Sequence, residues 1–275
     1  MPTAQIEQSL QTIGRLPDGV IDVAETALLL AALDCPGTGM AQYRDHLSGL
    51  AEATAAAARD IETASEKASA IGRVLFSEFG YSGDVKTYDD MQNANLIQVI
   101  ERRKGLPVAL GILCLHMGRA QGWPIAGTHF PSHFLLRFNE GRDPLVLDPF
   151  HECRILSEED LRALVKRMLG EDATFDFRYC NRADNRDVLI RLQNNIKVRA
   201  VETGDLDRAL EILRRMILIS PDHPGLWFER AVLFSRQGQV KAAMATAEKF
   251  MTLPAAAPHM PRFRALLMAL HGQLH

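Results

Sequence analysis

Apolar residues recur at intervals of three and four through residues 1–80, the spacing that lines one face of a helix. Ala, Leu and Glu dominate this stretch, and all three favour helix. Pro36-Gly37 and Gly80-Tyr81-Ser82-Gly83-Asp84 interrupt it, as turn residues do. The helix before the second break carries Ile71, Val74, Leu75 and Phe79, with Gly80 placed as a C-cap. Between residues 92 and 180 the pattern changes. A helix is predicted over 94–103, stopping at Lys104-Gly105. Pro107 then suits the first turn of another helix, where its missing N–H would be unpaired anyway. That helix runs to about Gln121, ends at Gly122, and turns Leu110, Leu113, Cys114 and Met117 toward a core. Strand-like runs follow at 124–130, 133–138 and 145–147, with Asn139-Glu140-Gly141 as the turn between the last two. Ser157 is the N-cap of a further helix opened by Glu158, Glu159 and Asp160. Helix, antiparallel strands and helix predict an α+β core.

Residues 186–275 return to helix and repeat. Gly204 and Gly238 lie 34 residues apart, as do Ala209 and Ala243, Leu192 and Leu226, and Ala200 and Phe234. Pro221 and Pro254 close the two units one residue out of register. A Gly for the helix–helix turn, a following small Ala and a closing Pro at this period resemble the tetratricopeptide repeat. Two repeats bury little alone, so 260–274 is expected to cap the stack. Phe228 and Phe250 are candidates to fill it. The chain is expected to divide into a core with N-terminal helices at 1–185 and an all-α repeat region at 186–275.

Composition narrows the class. Of 275 residues, 47% are hydrophobic and 24% charged, which excludes wholesale disorder and low-complexity polymers. The most apolar early run, 23–33, is about half the roughly 20 residues a spanning helix needs. The first 16 residues lack a basic segment followed by an apolar one, so no secretory signal is read. Four cysteines, at 35, 114, 153 and 180, form no CxxC pair and no zinc spacing. Their density is too low for a disulfide framework, so a reducing cytoplasm is expected. Residues 186–275 carry 13 basic and 8 acidic side chains, against 18 and 26 in the remainder. The basic residues are scattered with few aromatics among them, which reads as solvated helix surface rather than a nucleic-acid footprint.

The ordered set RRKGLPVAL (102–110), FPSHFLLR (130–137) and LDPF (147–150) resembles the bacterial SirB-type family: a transglutaminase-like core with tetratricopeptide repeats behind it. The resemblance spans about 25–270 and implies a papain-like α+β core. It also implies a thiol at a helix start, a His on the next strand and an Asp shortly after. The His position matches His133 and the Asp position Asp148. The nucleophile position falls in Gly105-Leu106-Pro107 and holds proline.

A thiolate needs the helix N-terminus to lower its pKa, and a His to take its proton. Cys114 lies two turns, roughly 10 Å, along the helix in its apolar stripe, where it reads as an inert small hydrophobe. Cys153 is the candidate displaced nucleophile. Ser132 neighbours His133, but adjacent strand residues face opposite ways. Arg102, Arg103 and Arg137 are candidates to bracket Asp148 or receive a carboxylate, or are structural ion pairs. His129, His133, Asp148, His151 and Cys153 are all competent metal ligands. The leading expectation is a non-catalytic transglutaminase-like protein that binds another protein or peptide through 186–275. It needs no cofactor or metal and has no nucleic-acid or membrane partner. The contrasting expectations are a hydrolase or acyltransferase using His133 and Asp148 with Cys153 or an activated water, and a metal-dependent enzyme.

Overall fold

The N-terminal helices start where side chains cap them. The structure, a computed structural model, describes residues 1–139 and 144–273. Helix α1 spans Thr3–Ile13 and α2 spans Val23–Ala32. Asp22 caps α2 by accepting from the Glu25 N–H at 3.0 Å. All of α2 except Glu25 is buried, so it lies inside the unit rather than on its surface. Helix α3 (Ala41–Ala57) buries Tyr43, Leu47, Leu50 and Thr54, one face at helical spacing. Helix α4 (Ala64–Gly72) opens on a reciprocal capping box between Thr63 and Glu66. The expected α-helix through Ile71–Phe79 then widens into a π-helical turn over Arg73–Glu78. The Phe79 N–H reaches the Val74 carbonyl five residues back at 3.0 Å. Val74, Leu75 and Phe76 are thereby buried in succession. Gly80 ends the run with a φ of +72°.

Strand β1 (Ser82–Gly83) pairs in parallel with β2 (Lys104–Gly105). Between them α5 (Leu96–Arg102) is capped by Asn95 and ends on Arg103 in the left-handed region, φ 56°. Helix α6 runs Pro107–Ala120 with Pro107 in its first turn, as expected. The expectation of a single apolar stripe needs correction. Eleven of its 14 residues are buried, because α2, α3 and α4 pack on it as well as the sheet. It is the central helix of its unit.

The sheet is antiparallel, in the order β3 (Ile125–Gly127), β4 (Leu136–Phe138), β5 (Leu145–Asp148), β6 (Arg154–Leu156). Phe138 pairs with Leu145. The turn expected at Asn139-Glu140-Gly141 lies, beyond Asn139, outside the described residues. Helix α6 lies close on the sheet through two glycines: a Cβ on Gly111 would sit 2.4 Å from Phe134, and one on Gly118 2.8 Å from Ile125. Helix α7 (Glu158–Leu169) starts at Ser157 in a capping box with Asp160. Its Leu161, Leu164 and Val165 join Phe130, Leu135, Val146 and Cys180 in an apolar cluster.

Contacts divide the chain into residues 1–6 with 17–192, and residues 7–16 with 193–275. The boundary read from sequence, 185/186, falls at the start of α8 (Asn185–Glu202). The second unit continues through α9 (Leu206–Ile219), α10 (Pro224–Arg236), α11 (Val240–Met251) and α12 (Met260–Gly272). Gly204 and Gly238 take the turns between paired helices with φ of +77° and +73°. Ala209 and Ala243, equivalent in the repeat, are both fully buried. Phe250 stacks on Phe263 of α12 at 4.5 Å between centroids, and Phe228 meets Phe263 edge-on. Residues 7–16 belong to this unit: Glu7 pairs with Arg214 at 2.6 Å, and a Cβ on Gly14 would strike the Leu218 carbonyl. Among the described residues no helix is long and apolar enough to cross a membrane, and all four cysteines are free thiols.

Candidate functional site

Asp148 is the last residue of β5, and its carboxylate turns back to cap the 3-10 turn Pro149–His151. Oδ1 accepts the Phe150 N–H at 2.9 Å, and Oδ2 lies 2.8 Å from His151 Nδ1. One short turn therefore puts residues 148 and 151 on the same side. His133 Nε2 lies 3.1 Å from each carboxylate oxygen. Burial pushes the Asp148 carboxyl up. Hydrogen bonding and charge from His133, with His151 and the Phe150 N–H, outweigh that and hold it below its usual range. His133 and Asp148 are almost fully buried, whereas the His151 side chain is 61% exposed. The Phe150 ring packs edge-on against both His133 and Tyr88. A Cβ on Gly83 would lie 2.6 Å from it, so β1 passes directly over the ring.

The expected His–Asp pair is thus formed, but His133 is not on a strand. It sits in a bend before β4, its N–H bonded to the Pro131 carbonyl at 2.7 Å. Ser132 precedes it with φ 56°. The strand alternation used to set Ser132 aside does not hold there. Ser132 is exposed, and no hydrogen bond joins it to His133.

The cysteines go elsewhere. Glu152 and Cys153 are both left-handed, φ 56° and 59°, and the chain turns inward after His151. Cys153 is buried with its Sγ 3.4 Å from Cys114 Sγ. Burial, then the neighbouring Cys153 thiol, raises the Cys114 thiol well above its ordinary value. Among the described residues no sulfur is hydrogen-bonded to His133.

The arginines are also committed. Arg102 pairs with buried Asp84 at 2.5 Å and donates to Asn93 at 2.7 Å. Arg103 donates to His46 Nε2 and to the Tyr81 hydroxyl, both at 2.7 Å. Arg137 donates to the Cys180 carbonyl at 2.6 Å. None has Asp148 as an ion partner. Of the five candidate metal ligands, His133, Asp148 and His151 converge. His129 instead faces Asp187 at 3.9 Å.

Sequence reasoning missed Phe150 as the ring that walls His133, although LDPF held it in view. It also missed a cavity of about 580 Å³ lined by Asp22, His116, Arg119, Trp123 and Arg182 among others. Its wall is drawn from residues 19–24, 115–126, 139 and 182–185, a scatter no local motif announces. His133, Asp148 and His151 do not line it.

A family model of the transglutaminase-like superfamily matches residues 41–194, more than half of the chain. The chain belongs to the transglutaminase-like superfamily. A tetratricopeptide repeat model matches 196–271, and the resemblance read from the motifs is borne out. This transglutaminase-like chain is 28% identical over 264 residues to a "UPF0162 protein" of Xylella fastidiosa strain Temecula1, covering 95% of this chain and 94% of that one. It is 34% identical over 153 residues to a "UPF0162 protein" of Vibrio cholerae, 55% of this chain and 56% of the other. A 91-residue stretch is 36% identical to mouse "F-box only protein 21", 33% of this chain and 14% of that protein. No solved structure matches the chain.

Proposed function

We propose that this is a transglutaminase-like protein without thiol catalysis, acting in the cytoplasm as a protein-interaction or regulatory module. Its repeats at 186–275 hold another protein or peptide segment. The observation that carries this reading is Pro107. The helix start where the family resemblance calls for a thiol holds a pyrrolidine ring with neither a nucleophilic atom nor an N–H to give. Cys114 of α6 and Cys153, the sulfur nearest in sequence to the dyad, face each other in the interior, and burial raises the Cys114 thiol well above its ordinary value. The stacked helical pairs support the binding half of the reading, since such repeats present extended binding surfaces.

Cross-linking of the tagged full chain in cells, read by mass spectrometry, tests it. Cross-links to one reproducible partner should concentrate in 186–275. Cross-links confined to 1–185, or no reproducible partner, overturn the reading.

A second reading, hydrolysis by a water activated on His133, is favoured by one observation. Nε2 is engaged by Asp148 while Nδ1 has no hydrogen-bond partner among the described residues, the arrangement of a base oriented by a carboxylate. Pro107→Cys tests the residual geometry. Alkylation of that thiol at pH 6–7 faster than a free cysteine, lost in His133→Ala, would show that the dyad still activates a nucleophile. The first reading expects no acceleration.

A further inference from the structure

We propose that His133 Nε2, the Asp148 carboxylate and His151 Nδ1 bind a divalent first-row transition-metal ion, its remaining positions open to water. Three ligand atoms from three side chains lie within 4.8 Å of one another. Imidazole nitrogen and carboxylate oxygen are the donors that zinc and ferrous iron accept. Metal–ligand bonds of about 2.0–2.2 Å place neighbouring ligands roughly 3 Å apart. The carboxylate oxygens lie 3.1 Å from His133 and 2.8 Å from His151.

Two features fit a cation better than a hydrogen-bonded dyad. First, His133 Nε2 is equidistant from both oxygens. Its N–H is therefore shared between two acceptors, and both distances exceed the about 2.7–2.9 Å usual for a charge-assisted bond. Second, Asp148 is a buried carboxylate whose only ion partners among the described residues are the two imidazoles. A buried charge calls for a paired charge or a metal, and no Lys or Arg supplies one. The His151 side chain is 61% exposed, so the set reaches solvent on that side, as in sites that keep a water-filled position. The short turn capped by Asp148 fixes residues 148 and 151 relative to each other, and the left-handed pair 152–153 sends Cys153 away from the set.

This inference does not rest on the repeat-binding reading, and either can fail alone. The full chain, stripped by chelator and dialysed, is titrated with Zn²⁺ against a chromophoric chelator, and its Co²⁺ form is examined by visible absorption. One equivalent per chain is expected. His151→Ala should weaken binding about tenfold or more while remaining folded without metal, since that ring is exposed. His129→Ala should bind as wild type, and the Co²⁺ spectrum should lack a sulfur charge-transfer band. Folded wild-type protein without stoichiometric binding overturns the proposal. So do equal affinity in wild type and His151→Ala, or a thiolate band that assigns Cys153.

Discussion

In the repeat unit Gly204 and Gly238 stand at helix–helix turns with φ of +77° and +73°, and nothing lies within 4 Å of where a Cβ would be. In the transglutaminase-like unit Gly111 and Gly118 sit inside α6, and a Cβ there would lie 2.4 Å from Phe134 or 2.8 Å from Ile125. The first pair supplies a backbone conformation. The second supplies room. A conformational glycine is a local property and recurs with the repeat, whereas a steric glycine is defined by a residue 23 or 7 positions away in the chain. The repeat unit is therefore built from neighbours, and the other unit from distant parts that must meet around one helix.

If that contrast holds, truncating the centre of α6 should do the most damage. Leu113 is fully buried among helices and sheet. Leu113→Ala removes its transfer free energy and leaves a cavity, which costs about 2–5 kcal/mol. Met268 on α12 is 77% exposed, and Met268→Ala should stay within about 0.5 kcal/mol of wild type. Chemical denaturation of both variants checks this. Comparable losses would erase the distinction between a centred core and a stacked one.

Acid should reach the first unit next. His46 accepts from Arg103 and lies 2.8 Å from the Tyr81 hydroxyl. Burial, then the Arg103 charge, lowers its pKa from 6.5 to about 4. The unfolded chain takes up a proton near pH 6.5 that the folded one refuses until about 4. Stability therefore falls between those values, by at most about 3 kcal/mol, and the loss is complete below them. His46→Gln keeps a neutral acceptor and should flatten the melting temperature between pH 6.5 and 4. Asp84 behaves differently. Although burial opposes ionisation, Thr87 and Arg102 lower its pKa to about 2, so its contribution is present above pH 3.8 and disappears only as pH falls through about 2.

How much of this was legible follows from the same contrast. Pro107, Gly122, Ser157, Gly204 and Gly238 act within a turn or two of themselves, and each marks the element boundary expected from it. The pairing of His133 with Asp148 was legible through the motif resemblance, because LDPF and FPSHF carry the two partners. Nothing local announces the π-helical turn at Arg73–Glu78, which depends on how three consecutive apolar residues are buried. The bend that takes His133 off the strand begins at Ser132, a left-handed residue that is neither Gly nor Asn. The all-round burial of α6 was hidden because a stripe of Leu110, Leu113, Cys114 and Met117 looks the same whether the other faces meet water or protein. His151 was visible only as a competent ligand. Its place beside Asp148 comes from the 3-10 turn.

Gly111→Ala refines the steric side of the comparison. The added methyl would have to displace the buried Phe134 ring, which also lies beneath Gly127. Overpacking of this kind costs about 1–3 kcal/mol. Part of that is offset because Ala is favoured over Gly in a helix interior by about 1 kcal/mol. A net loss of up to about 2 kcal/mol in urea denaturation is expected. A stabilised variant would mean that Phe134 gives way freely, and that α6 is less tightly seated than its burial indicates.

The smallest effect belongs to the repeat turns and tests the other half of the contrast. At Gly204 and Gly238 an alanine meets no atom, so the whole cost is the left-handed backbone, about 1 kcal/mol at each position. The two turns lie a repeat apart and the glycines have no shared contacts. Their losses should therefore add, within about 0.5 kcal/mol, in the Gly204→Ala/Gly238→Ala double variant. Asparagine, which tolerates this region better, should recover part of the loss at both sites. A double variant much worse than the sum would mean that the turns are coupled through the stack. The repeat unit would then share the long-range dependence that distinguishes the unit around α6.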